Sequence, residues 1–294
     1  MKQGRWQKVV LLILSIVVLA ETAWIMRMRA ARNAAPEEQW DFAVDRELSE
    51  DFDRALSDGR IEVWFQPITD PASGDTVGAE ALSRWRQGDG YISPSVFISV
   101  LEATGQVRDL DRYVFQTVCA FQKERLNEGI DPVPVSVNLS VVSGLQEGVA
   151  AEYAEISRAF DLPAGCVNIE VTESLDSDRE VFSALVDEFH EAGFLVEIDD
   201  FGAGYAAYAN LAVIPYDVLK IDKSLVDAVD TERGARLTGD LLRMAKDFGM
   251  RTIAEGVETA EQVSWLQAAG CDAIQGYYYS RPLPPEAFIA YLNK

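Results

Sequence analysis

Eight short strand-like runs, most of them separated by longer stretches of helical periodicity, set the limits on what this chain can fold into. The runs are IEVWFQPI, TVGAEALSRW, VPVSVNLS, CVNIEVTES, FLVEIDDFG, DVLKIDKS, MRTIAEGVE and DAIQGYYYS. Between them lie amphipathic segments such as VFQTVCAFQKERLNEG and LTGDLLRMAKDFG. Alternation of strand and helix implies a mostly parallel sheet with helices outside it. Eight such units within about 230 residues suit a closed (β/α)8 barrel better than an open sheet.

The ends of the runs carry the second signal. Asn138, Glu170, Asp199 with Asp200, Lys220, Glu255 and Gln275 sit near the C-terminal ends of successive runs, and Glu80 lies in an earlier one. A barrel of this kind builds its active site at that end, with one or two residues drawn from each strand. Taken singly, an acid at a strand end is usually a cap, a turn former or a solvated charge. Asp199 and Asp200 are adjacent, so within a regular strand they would point to opposite faces. Taken together, however, these residues describe one mouth lined by oxygen ligands. So many carboxylates in one place repel one another, and divalent cations would offset that cost.

Composition narrows the chemistry further. The formal charge of −22 gives no attraction to DNA or RNA, so a phosphate ligand would need a local basic contact or bound cations. The single histidine, His190, excludes a multi-histidine metal centre. The three cysteines, Cys119, Cys166 and Cys271, form no CxxC pair and read as reduced, buried thiols of a cytoplasmic domain.

Residues 1–8 form a short tail, and residues 9–26 an apolar run of about 18 residues, nearly long enough to cross a hydrocarbon core as a helix. Lys2, Arg5 and Lys8 precede it and Arg27, Arg29 and Arg32 follow it, so flanking charge does not set its orientation. A cleaved signal peptide shares the basic start and apolar run, but the arginines just after the run argue against export. The reading adopted is a single membrane anchor followed by a linker over residues 27–43. No room is left between anchor and barrel for a sensor domain.

The runs also carry motifs in a fixed order. FQPI is followed by GAEALSRW, which holds Glu80-Ala81-Leu82 and Arg84 in an ExLxR pattern, and then by ISPSVFISVLEATG, VNLS, IEVTES, IDDFGAGY, LKIDKS, AEGVE and QGYYYSRPLP. In this order they resemble the EAL-domain cyclic di-GMP phosphodiesterases over residues 44–294. The resemblance implies a (β/α)8 barrel with an unusual first strand. It implies metal-dependent hydrolysis of cyclic di-GMP to linear pGpG with two ions of Mg2+ or Mn2+. It implies that Glu80, Asn138, Glu170 and Asp199 hold a first metal, and that Asp199 bridges to a second contacted by Asp200 and, directly or through water, by Glu258. Lys220 would orient or help deprotonate the attacking water, with Glu255 in the metal and water shell. Arg84 would pair with a phosphate, Gln275 and Gln66 would support the substrate and water network, and Glu173 would anchor the loop after Asp199. The family also implies a homodimer through this domain. Its nucleotide substrate would place the barrel on the cytoplasmic side of a bacterial inner membrane, with a single pass through it. The loop DDFGAGYAAYANL departs from the family at Ala203, Ala206 and Ala207, where hydroxyl residues are usual. The alternative reading is therefore a catalytically weak or inactive receptor for cyclic di-GMP.

Overall fold

The computed structural model describes residues 42–172, 179–201, 211 and 213–293. The apolar run at 9–26, Glu173 and the loop bearing Ala203 lie outside these residues. Among the described residues no helix is long and apolar enough to cross a membrane.

The strands are β1 (Ile61–Thr69), β2 (Thr76–Gln87), β3 (Gly90–Ile92), β4 (Val135–Leu139), β5 (Val167–Thr172), β6 (Val196–Phe201), β7 (Val218–Ile221), β8 (Arg251–Ala254) and β9 (Ala273–Gln275). They form one sheet in the order β1-β9-β8-β7-β6-β5-β4-β2-β3, and pairing of β1 with β2 closes it into a barrel of eight strands. From β2 through β4 to β9 each barrel strand runs parallel to the next. β1 is antiparallel to both of its neighbours, and β3 only extends the far end of β2 as a hairpin. All eight runs read from the sequence are barrel strands.

Local chemistry explains these elements. The parallel strands are covered on both faces and so read as continuous apolar runs; all four residues of β7, VLKI, are buried. Helices Pro94–Thr104, Val107–Asn127, Val149–Ala159, Arg179–Glu191, Glu232–Asp247 and Ala260–Ala269 lie between the strands. The last of these begins with a capping box, in which Thr259 Oγ1 accepts from Gln262 N and Gln262 Oε1 accepts from Thr259 N. Gln262 Oε1 also accepts from Glu258 N, which fixes the loop after β8.

No helix separates β1 from β2, so the outer face of this hairpin needs another cover. Phe65 of β1 stacks on Phe121 at 4.5 Å and on Phe288 of the closing helix Pro285–Leu292 at 5.2 Å. The main chain of Phe65 also exchanges two 2.8 Å hydrogen bonds with Leu283. Inside the barrel the floor is divided. Ile68, Val218, Ile253 and Ala273 form an apolar cluster, and Ser136, Asn168 and Glu197 supply buried polar side chains.

Candidate active site

Period-two alternation along each strand turns one polar side chain per strand into the barrel at the level of the mouth. At the centre is Lys220, fully buried. Its Nζ lies 2.6 Å from Glu170 Oε1, 2.7 Å from Glu255 Oε1, 3.2 Å from Asp199 Oδ1 and 3.7 Å from Glu80 Oε2. Glu80 is held from two further sides: Asn138 Nδ2 donates to its Oε1 at 3.1 Å and Gln275 Nε2 to its Oε2 at 2.5 Å. Gln275 Nε2 also reaches Gln66 Oε1 at 3.3 Å, and Gln66 Nε2 donates to the Ser280 carbonyl at 3.4 Å. Gln66 and Glu80 are cross-strand partners of the β1–β2 hairpin, so an antiparallel strand still delivers its amide to the ring.

The acidic pair of β6 is brought to one side by an irregularity. The pairing of β6 with β7 shifts register between Ile198 and Phe201, and Asp200 takes a left-handed backbone with φ 54. Aspartate tolerates that conformation better than bulkier residues, and bulges of this kind re-aim side chains beside active sites. The result is that Asp199, Asp200 and Glu255 each offer an oxygen within 4.8 Å of the others.

The electrostatics follow from one buried ammonium among several acids. Burial opposes the charge on Lys220, yet Glu170, Glu255, Glu80 and Asp199 together hold its pKa well above 10.5. Burial drives Glu170 well above the usual carboxylate range against the pull of Lys220. Burial, aided by Asp199 and Glu80, raises Glu255 to about 8. Asp199 is also buried, but Lys220 beside it keeps its pKa below 3.8. Asp200 is pushed to about 6 by desolvation and by the charges of Asp199 and Asp222. In this ring the four acids thus keep Lys220 charged.

The donor set fits divalent cations. Glu170 Oε2 is buried with no hydrogen-bond partner among the described residues, and the buried Asp199 Oδ1 has the Lys220 ammonium at 3.2 Å as its one neighbour of opposite charge there. A buried oxygen of this kind normally has a donor or a cation. Carboxylate and amide oxygens are the ligands that Mg2+ and Mn2+ prefer.

Arg84 stands at the edge of this ring. Its Nη1 donates to the Ser83 carbonyl at 2.9 Å and its guanidinium lies over the Trp64 ring at 5.8 Å. Half burial lowers its pKa, with Glu80 acting against that. A cavity of about 290 Å³ opens here, lined by Glu80, Arg84, Asn138 and Thr172 along with apolar side chains such as Ile98 and Leu110.

The structure therefore brings Gln66, Glu80, Asn138, Glu170, Asp199, Asp200, Lys220, Glu255 and Gln275 together, with Arg84 adjacent. Glu258 makes no hydrogen bond or ion pair with these side chains among the described residues. That side chain is half exposed and pairs with Lys223 Nζ at 3.1 Å, while the same ammonium reaches Asp227 at 3.2 Å and the Gly256 carbonyl at 3.2 Å. Sequence reasoning passed over Asp222, which caps the Lys223–Asp227 helix and acts on Asp200. Its position two residues after Lys220 was the available signal.

A closed barrel with acids and amides gathered about one lysine at the C-terminal ends of its strands has the form of a barrel enzyme with an oxygen-ligand centre. The chain belongs to the EAL domain family, whose pattern it matches over residues 49–282. It is 32% identical over 250 residues to the cyclic di-GMP phosphodiesterase NbdA of Pseudomonas aeruginosa, covering 84% of this chain and 32% of that protein. It is 32% identical over 244 residues to the probable cyclic di-GMP phosphodiesterase PdeB of Escherichia coli K12, covering 82% of this chain and 46% of that one. The chain thus spans less than half the length of these curated relatives. Among solved structures, the PaMucR phosphodiesterase in its c-di-GMP complex superposes with a TM-score of 0.77 at 27% identity, covering 82% of this chain and 99% of that one.

Proposed function

We propose that this chain hydrolyses one phosphodiester bond of cyclic di-GMP to give linear pGpG. The observation that carries the reading is the caged Lys220, ringed by carboxylates of which Glu170 keeps an unpartnered buried oxygen. The names of the relatives supply the substrate. The cations would be held by Glu80, Asn138, Glu170, Asp199 and Asp200, with Glu258 reached through solvent. When bound, such cations supply positive charge to the phosphoryl oxygens and favour ionisation of a nearby water.

The chain's own residues do the rest. Lys220 Nζ orients the nucleophile or helps to deprotonate it. Glu255 sits 2.7 Å from that ammonium and beside Asp199 and Asp200, where it is placed to accept the proton that the water loses. Gln275 and Asn138 fix both oxygens of Glu80, so its carboxylate faces the centre without rotating. Arg84 keeps N–H groups in the planar fork that matches a phosphate. The apolar wall beside it suits a base or sugar face.

The reading extends to the whole chain as a membrane-bound enzyme. Residues 9–26 would anchor it to a bacterial inner membrane with the barrel facing the cytoplasm, and the barrel would pair as a homodimer. The apolar run and the family resemblance support this part. The alternative, a receptor that binds without turnover, is favoured only by the alanines at 203, 206 and 207.

The test incubates the detergent-solubilised chain with cyclic di-GMP and Mg2+ or Mn2+ and separates the nucleotides by chromatography. Metal-dependent pGpG, absent from Glu80→Ala, is the expected result. Tight binding with no product from the unaltered chain would replace this reading with the receptor.

A further inference from the structure

The floor of the barrel holds a second polar group that the phosphodiester chemistry does not use. Two residues before the ring on β5 and β6, Asn168 and Glu197 face inward at 3% and 1% exposure. Asn168 Nδ2 donates to Glu197 Oε1 at 2.8 Å. That bond leaves Asn168 Oδ1 and Glu197 Oε2, both buried, with no hydrogen-bond partner among the described residues. Both residues line a cavity of about 190 Å³ at the N-terminal ends of the strands, away from the mouth. Its opposite wall is the apolar cluster of Ile68, Val218, Ile253 and Ala273. Arg251, exposed, stands at its rim.

The chemistry of the missing occupant follows from these walls. Asn168 Oδ1 is an acceptor, and Glu197 Oε2 is one when its carboxylate is ionised, a state that burial opposes and that Lys220, Ser136 and Asn168 favour, so an occupant that brings donors, and above all a cation, suits both. One acceptor belongs to a carboxylate, so a positive donor is favoured over a neutral one. A divalent metal would want several carboxylates, and Glu197 is the one acid of the cavity whose oxygen is left over. The other, Asp272, already accepts from Thr252 N and Oγ1 at 2.8 Å each. Water alone fits the two acceptors, but most of the wall is hydrocarbon, against which water gains no hydrogen bond. A head with several N–H donors and a short aliphatic tail satisfies both kinds of wall.

We propose that this floor cavity is a binding site for a short-chain primary ammonium ion, its head on Glu197 and Asn168 and its tail against Ile68, Val218 and Ile253. The site is separate from the mouth, and its occupancy does not depend on the phosphodiesterase reading.

The test uses the full chain and ligand-observed saturation-transfer NMR with n-butylammonium as the probe. n-Butanol serves as the neutral isostere and K+ as a spherical competitor. Expected are saturable butylammonium binding, no butanol binding, persistence of the signal in excess K+ and in the presence of cyclic di-GMP, and weakening of roughly tenfold or more in Glu197→Gln. Equal binding of butanol, displacement by K+, displacement by cyclic di-GMP, or absence of saturable binding (ordered water only) would each overturn the proposal. The comparison of isosteres on the unaltered chain decides the matter even where Glu197→Gln does not fold. A folded Glu197→Gln that binds as tightly as the parent would also overturn it.

Discussion

Replacing Lys220 with methionine removes the one cation from the ring while keeping length and volume. Glu170 is fully buried and lies 2.6 Å from Lys220 Nζ, and its other oxygen already lacks a partner. After the substitution both oxygens of the buried Glu170 side chain would be without a partner, and Asp199, which the lysine keeps ionised, would lose its nearest counter-charge. Breaking a buried pair from one side costs about 3–5 kcal/mol. The geometry places Lys220→Met near the upper part of that range, which in a domain of this size is a fall in Tm of roughly 10 °C. The sign with pH is fixed by the raised lysine. Its contribution is fully present below 10.5 and is lost only as pH rises through its higher folded-state value. Urea unfolding of parent and variant at pH 7 in EDTA gives the loss directly. The same pair in Mg2+ gives a smaller gap, because bound cations take over part of the compensation. A loss below about 1 kcal/mol in EDTA would refute the reasoning, since it would mean that the ring is already neutral without the lysine.

Three other expectations follow from particular residues. Glu255 has a folded pKa of about 8 against 4.5 for the free side chain, so its contribution is present below 4.5 and lost as pH rises through about 8. In EDTA the parent should therefore fall behind Glu255→Gln as pH rises across that window, and a constant difference in unfolding free energy would reject the assignment. A Cβ on Gly276 would lie 2.1 Å from the Val257 carbonyl oxygen, so Gly276→Ala must shift the backbone beside Gln275. It should cost about 1–3 kcal/mol in urea unfolding and reduce pGpG formation. Cys119 is fully buried with its thiol pushed up to about 12, and Cys271 is buried with its thiol at about 11. A thiol reagent should label neither in the native chain, and both should react once the chain is unfolded in urea.

The barrel was legible because its strands are buried on both faces. Such strands leave uninterrupted apolar runs, and the polar exceptions among them, such as Lys220 within VLKI, stand out at once. β3 was not legible: three residues extending a hairpin leave no periodicity to read. The ring was legible at its acids and amides because each ends a run. The turn at Asp200 was not, since alternation alone sends adjacent carboxylates to opposite faces and only the bulge reverses that. Glu258 shows the reverse limit: a position in a motif does not say whether a side chain will meet the ring or the nearby Lys223. The floor residues Ser136, Asn168 and Glu197 each precede a ring residue by two, so the signal lay in the same alternation and was overlooked one layer down.

The inverted first strand gives the domain a direction. Because β1 runs from mouth to floor, the chain arrives at the rim, where Phe52 of the preceding helix lies 5.8 Å from Trp85 at the outer end of β2. It departs from the other end, where Leu292 and Asn293 line a cavity with Asp75 and Thr76 of the floor-side turn. The end of the helix before β1 thus meets the barrel at its rim, through Phe52 and the start of β1. A load attached after residue 293 would have to cross the full depth of the barrel to be felt there.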